Sequence, residues 1–220
     1  MDVFLVPAGG DRYALYCEMS APLPDVAAPP RTIRGRLVGI FHRALAEGEA
    51  ARRQRPAAGA TRVGRLRAAV TRRLAEAVAE QRLLWYLRKR TDVRFVLPDD
   101  LGVPASAAIR RDLLTHDRDR HRRWTLVDGA LGLASAPVAL LPGPNVLAYY
   151  FIFRSVGHFL SWRGANQGLS RIAWTDVPSP ELTRLRRALA LDPAPRAAEI
   201  DGVAGALGLE RLRSFLDRVR

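Results

Sequence analysis

Residues 124–162 read WTLVDGALGLASAPVALLPGPNVLAYYFIFRSVGHFLSW, and how this stretch is read decides the fold. It is the one long apolar passage in a chain otherwise studded with arginine. Pro142, Gly143 and Pro144 break it near its middle, because proline lacks a donor N–H and glycine loosens the backbone. The arms Leu126 to Leu141 and Val146 to Trp162 are therefore expected to be two helices folded back as a hairpin. Pro142, Gly143, Pro144 and Asn145 make its turn. Counting outward from Gly143 sets Trp124 opposite Trp162 and Asp128 opposite His158. Arg122 and Arg123 lie just outside one end, and Arg163 lies just outside the other.

Paired tryptophans backed by arginines are what one side of a bilayer interface selects. An arm of about 16 residues is roughly 24 Å long at about 1.5 Å per residue. That is shorter than the roughly 30 Å hydrocarbon core. A re-entrant or shallow hairpin therefore suits the arms better than two full spans, with both ends in one compartment and the basic flanks on its cytoplasmic or matrix side. The first arm repeats small residues at helical spacing, Gly129, Gly132, Ala136 and Ala139, which lets a second helix approach closely. The second arm is bulky, with Tyr149, Tyr150, Phe151, Phe153 and Phe159. Apolar segments this short also occur as buried helical pairs in soluble proteins. The tryptophans and arginines weigh toward lipid, and the core reading stays open.

Asp128, Arg154 and His158 are the ionisable groups inside the stretch and the candidate ion- or proton-linked residues. Arg154 and His158 stand four apart and share a helix face. Asp128 with His158 would make a proton-labile pair, with Arg154 holding the carboxylate ionised. An interfacial salt bridge near the hairpin mouth, with Arg154 reaching toward water, is the plainer alternative and the one favoured by its shallow position.

Composition sets the wider bounds. The 220 residues allow one domain or two small ones, and 48% apolar content suffices for a core. The net charge of +13 is carried almost wholly by arginine, with Lys89 the only lysine. Such a balance calls for an anionic partner, either lipid headgroups or, with less support, nucleic acid. Cys17 stands alone, which excludes a disulfide framework within one chain. Asp2 and Pro7 interrupt what a signal peptide would need, so neither a signal nor a transit peptide is expected. The arginine, alanine and leucine usage points to a bacterial protein.

Around the hairpin, Val3 to Val6 and Arg12 to Cys17 read as strands joined across Ala8-Gly9-Gly10-Asp11. Gly9-Gly10 is not a phosphate loop, since no Lys-Ser/Thr follows. Residues 20–30 read as a Pro- and Ala-rich linker. Thr32 caps a helix over 33–53, and Thr61 caps a longer one to Lys89, each with an apolar stripe and an opposite face rich in arginine. That face suits anionic lipid, and an ordinary solvated surface would look the same. Residues 91–97 alternate as a third strand. Pro104 opens a helix to His116, followed by a charged lead-in at 117–123. His116, His121, Asp112, Asp117 and Asp119 are too interleaved with arginine to suggest a cation site. Residues 163–177 read as irregular, with 172–174 extended. Ser179 caps a helix with Pro180 and Glu181 in its first turn, and two short helices follow, over 196–207 and 209–219.

The segment LLPGPNVLAYYFIFRSVGHFLSWRGA, residues 140–165, resembles the signature of the mitochondrial K+/H+ exchange-related proteins and their bacterial relatives. The likeness rests on Pro142, Pro144, Asn145, Tyr150, Phe153, Arg154, Gly164 and Ala165, supported upstream by Leu87-Arg88-Lys89 and the strand at 93–97. It extends over about residues 84–168. The resemblance implies an inner-membrane-associated protein linked to potassium/proton exchange. With so few apolar segments, an auxiliary or oligomeric role is expected rather than a solo transporter.

The expected fold is α+β and mostly helical, in three parts. Residues 1–123 form a small sheet, strands near 3–6, 12–17 and 92–97, packed on a basic helix pair. Residues 124–168 form the apolar hairpin, with Trp124, Trp162, Arg122, Arg123 and Arg163 as interface anchors. Residues 169–220 form a helical tail. The expected location is the cytoplasmic face of a bacterial inner membrane, with the cytoplasm as alternative. Possible partners are anionic lipid, further copies of the chain or a partner membrane protein. A soluble or peripheral basic module with the hairpin as its core is the competing function. No catalytic grouping, metal spacing or cofactor motif emerges, so no enzyme and no cofactor are expected.

Overall fold

A computed structural model describes residues 1–18, 83–135 and 146–219, with side chains from residue 151 onward in the last segment. The linker at 20–30, most of the helix pair and the hairpin turn at Pro142, Gly143, Pro144 and Asn145 lie outside the described residues. The fold is α+β and mostly helical. In chain order the elements are β1 (Asp2–Gly9), β2 (Arg12–Tyr16), β3 (Asp92–Pro98), α1 (Val103–Ala134), α2 (Val146–Ser170), β4 (Ala173–Ser179), α3 (Pro180–Ala188), α4 (Pro193–Leu207) and α5 (Leu212–Val219). A further helical stretch spans 83–87.

The four strands form one mixed sheet in the order β2-β1-β3-β4. β1 runs antiparallel to β2 and parallel to β3, and β3 runs parallel to β4. Gly9 and Gly10 take φ of 96° and 60° at the β1–β2 turn, which glycine adopts without a Cβ penalty. β1 is buried from Val3 through Ala8, the near-continuous apolar run expected of a strand covered on both faces. Its alternate residues part accordingly. Phe4 and Val6 join Tyr16 and Val96 against Leu182, Leu185, Val203, Leu212 and Leu216 of α3, α4 and α5. Val3 and Leu5 join Val93, Phe95 and Leu97 on the other face, against Leu84, Leu87, Leu114 and Ala165.

Two local expectations change. The lead-in at 117–123 is not a separate segment but the middle of α1, since its arginines and aspartates are compatible with a solvated helical face. The irregular passage expected from 163 does not exist. α2 continues to Ser170, and its glycines at 164 and 168 are packing positions rather than breaks. The chain after 169 then supplies an edge strand, β4, and the whole α3–α5 layer. Ser179 caps α3 as expected, its Oγ accepting from the Leu182 N–H at 3.4 Å.

The chain divides into two compact units: residues 1–19, 83–124 and 158–220 in the first, and residues 20–82 and 125–157 in the second. The sheet and its two covering layers belong to the first. Within it, α2 meets the 83–87 stretch backbone to backbone. A Cβ placed on Gly164 would lie 1.7 Å from the Leu84 carbonyl oxygen. Beside this crossing the Trp85 Nε1–H donates to Ser161 Oγ at 2.9 Å, in the interior.

Candidate functional site

The first unit carries an imidazole pair. His121 of α1 is buried, and its Nδ1 stands 2.8 Å from Nδ1 of His158 on α2. At that distance one ring carries its proton on Nδ1 and the other leaves Nδ1 bare as acceptor. One added proton can be held on the outer nitrogen of the donor ring. A second must enter between the rings and break the bond. Burial lowers His121 from 6.5 to about 4, and the charges of His158 and Arg120 act in the same direction. Trp124, 42% exposed, stacks on His158 with centroids 6.2 Å apart.

Of the anchors expected from the sequence, Arg122, Arg123 and Trp124 are exposed on α1, and Arg163 is exposed on α2. Trp162 is half-buried, its ring 5.7 Å from that of Phe159. All of them belong to the first unit.

The second unit carries the carboxylate. Asp128 is 0% exposed, and its Oδ2 lies 3.5 Å from Arg154 Nε. Burial pushes its carboxyl above the ordinary carboxylate range, and Arg154 opposes that rise. The helices close around the pair through small groups. Ser155 Oγ donates to the Thr125 carbonyl at 3.1 Å, and a Cβ on Gly129 would meet that hydroxyl at 3.5 Å. A Cβ on Gly132 would lie 3.4 Å from Ile152. The stripe of small residues read from the sequence is thus a helix-contact face at its two described glycines.

Among the described residues of this unit the fully buried positions are small or polar and the large aliphatic ones on α1 are exposed, the inverse of a soluble helical pair. On α1 the buried positions of the unit are Asp128 and Gly132, with Ser135 buried just past its end, whereas Leu126 is 66% and Leu133 78% exposed, with Val127 and Leu131 beside them. On α2 Ile152 and Val156 are exposed and Gly157 is buried. Among the described residues no helix is long and apolar enough to cross a membrane. Nor are any three His, Cys, Asp or Glu side chains among them grouped as metal ligands would be.

Asp128 and Arg154 are brought together in one unit, while His158 lies in the other and is paired with His121. Sequence reasoning had weighed His121 only as a metal ligand. The one signal available was its position on the apolar-arm side of a charged run, where its solvated neighbours masked it.

An α+β protein whose two longest described helices bring together a histidine pair and, separately, a buried aspartate–arginine pair is the class this geometry defines. The chain belongs to the mitochondrial K+-H+ exchange-related family, whose model matches residues 60–172, just over half of its length. No curated protein and no solved structure matches it.

Proposed function

We propose that the protein is a membrane-associated component of monovalent cation/proton exchange, with K+ as the cation, working beside an exchanger or as an oligomer rather than as a self-sufficient carrier. The observation that carries this reading is the inverted pair of faces in the second unit: leucines turned out, aspartate and glycine turned in. In water this arrangement leaves large apolar groups solvated and buries a charge. Against lipid both placements are favourable, because an acidic side chain in lipid belongs on the helix-contact side. The exposed Arg122, Arg123 and Arg163 and the net charge of +13 suit an anionic surface. The compartment that fits is the cytoplasmic face of a bacterial inner membrane. Asp128, Arg154 and His158 are the residues assigned to the exchange function.

Three experiments test it. Isolated membranes washed with alkaline carbonate are expected to retain the protein. Release by high salt alone would reduce the attachment to charge. In vesicle sedimentation, changing Leu126 and Leu133 together to Glu is expected to weaken binding at least a hundredfold, since each leucine supplies roughly 1.5–3 kcal/mol. Equal binding by the double variant would remove the apolar face from the reading. In potassium-loaded vesicles holding the protein and its exchanger, Asp128→Asn is expected to change the pH dependence of K+ flux. Flux unaltered by Asp128→Asn, Arg154→Gln and His158→Ala would exclude these three from the exchange.

A further inference from the structure

The crossing of α2 over the 83–87 stretch also fixes two arginines. Arg163 immediately precedes Gly164, whose missing Cβ lets α2 rest on the Leu84 carbonyl. Arg88 lies one helical turn beyond Leu84, and its N–H donates to that same carbonyl at 3.3 Å. The backbones of both arginines are thereby held at one crossing of the first unit, with Arg88 half-buried and Arg163 exposed. Lys89 and Arg90 follow, both exposed. Burial lowers Arg88 from its ordinary value, and the neighbouring charge of Arg163 lowers it further. Among the described residues no ion pair holds either one. The carbonyl end of a helix offsets only about half a charge, so the locus keeps a large positive excess. Arg94, Arg110, Arg118, Arg184, Arg186 and Arg213 each have an aspartate or glutamate partner, and the described arginines without one are mostly exposed, whereas Arg88 is half-buried.

A partly desolvated guanidinium beside a second one, with no carboxylate, is relieved by an anion that both can grip. Phosphate oxygens fit best, because each guanidinium donates two parallel N–H bonds to them. Two residues away from Arg163 and on the same helix, Ser161 is tied to Trp85, so the backbone carrying the pair is fixed. Trp162 directly precedes Arg163 in the chain, and its ring lies 5.7 Å from that of Phe159, aromatic groups of the kind that settle at headgroup depth.

We propose that Arg88 and Arg163 form a phosphate-binding site that holds the headgroup of an anionic phospholipid. This rests on the membrane reading above and adds to it a defined polar contact. The locus orients the first unit on the membrane surface, where a diffuse positive charge would not.

The test compares the full-length protein with Arg88→Gln/Arg163→Gln on vesicles of phosphatidylcholine alone and of phosphatidylcholine mixed with phosphatidylglycerol. The double variant is expected to lose roughly 30-fold in binding to the mixed vesicles, the amount two charges near an anionic membrane supply. It should melt no lower than the wild type, because a like-charge repulsion has been removed. Arg88→Lys/Arg163→Lys should lose part of the binding while keeping the charge. A charge-matched control, Arg211→Gln/Arg218→Gln on the α5 side, should lose less than threefold. An equal loss in this control, or no loss in the first variant, would overturn the site. Thermal stabilisation of the wild type by inorganic phosphate, with vesicle binding unchanged in the first variant, would overturn the lipid assignment in favour of free phosphate. Binding lost on the Leu126/Leu133 variant but kept on the arginine variant would sink the site and spare the membrane reading. A wild type that binds no vesicle would sink both.

Discussion

Replacing Gly164 with alanine is expected to destabilise the protein by ~3 kcal/mol or more, the upper range for overpacking a well-filled interior. The reason is geometric. The added Cβ would sit 1.7 Å from the Leu84 oxygen and 2.4 Å from its carbon, and a backbone carbonyl cannot swing aside as a side-chain tip can. α2 and the 83–87 stretch would have to separate by more than an ångström. That parts Ala165, Leu84 and Leu87 from the sheet face carrying Val3, Leu5 and Phe95 and strains the buried Trp85–Ser161 bond. In urea, at a slope of about 2 kcal/mol/M, the midpoint should fall by more than ~1 M. Gly129→Ala is the internal control. Its Cβ would meet only the Ser155 hydroxyl, at an ordinary 3.5 Å, and alanine gains up to about 1 kcal/mol over glycine inside a helix. That variant should match or exceed the wild type. A Gly164→Ala midpoint equal to the wild type would mean that the two backbones do not touch in solution.

Gly164 also shows what could and could not be read from the residues in order. As a letter in the sequence, Arg-Gly-Ala-Asn-Gln-Gly looks like the end of a helix, because glycine and asparagine are its usual stops. The same glycines are required inside a helix wherever another backbone crosses it. Distinguishing the two needs the crossing partner, which lies about 80 residues earlier in the chain. The resemblance to the family had singled out Gly164 and Ala165 as motif residues, and the structure supplies a packing reason for both: one abuts the Leu84 carbonyl and the other is fully buried.

The sheet was legible in part for a comparable reason. β1 announces itself by a short run of aromatic and aliphatic residues before a glycine turn, and β3 by β-branched alternation. β4 reads AWTDVPS, with polar residues and a proline, because an edge strand is half solvated and can forgo a donor. Only its 172–174 end carried an extended signature. The α3–α5 helices were legible as helices from Ser179, Pro180 and the breaks after Leu191 and at Gly208. Their role as a full layer was not. An amphipathic stripe such as Leu182, Leu185 and Leu189 states that a partner exists and leaves open which face of which element it is. The ionisable groups divide in the same way. Helical spacing put Arg154 and His158 on one face, and proximity to Asp128 followed for Arg154 from the antiparallel arms. His121 escaped because pairing across two helices depends on their relative rotation, and a hairpin turn fixes that only loosely.

Acid is expected to weaken the protein through His121, and the direction follows from its lowered folded-state value. Unfolded, this histidine takes its proton near pH 6.5, whereas in the folded chain burial beside His158 and Arg120 delays that to about pH 4. Above pH 6.5 both states are neutral there and the residue contributes no pH dependence. Between pH 6.5 and 4 the unfolded chain binds a proton that the folded chain refuses, so stability falls as pH falls. At roughly 1.4 kcal/mol per pH unit the whole window amounts to ~3 kcal/mol, and below pH 4 the effect levels off because both states are protonated. His121→Leu removes the titrating group and fills the space with apolar volume. Urea titrations at closely spaced pH values should therefore show a slope in the wild type between pH 4 and 6.5 that is largely flattened in the variant. The imidazole resonance of His121 should move with a midpoint near pH 4. A midpoint near 6.5, or a slope untouched by His121→Leu, would refute the buried pair. A ring whose value is lowered to about 4 is a poor match for the acid or base of a proton step near pH 7, where the fitting value lies near the working pH. It can hold the Nδ1 of His158, and a side chain that does only that is a positioning residue. His121→Asn, which still offers a hydrogen bond to that nitrogen, should accordingly preserve the pH dependence of flux that His158→Ala loses.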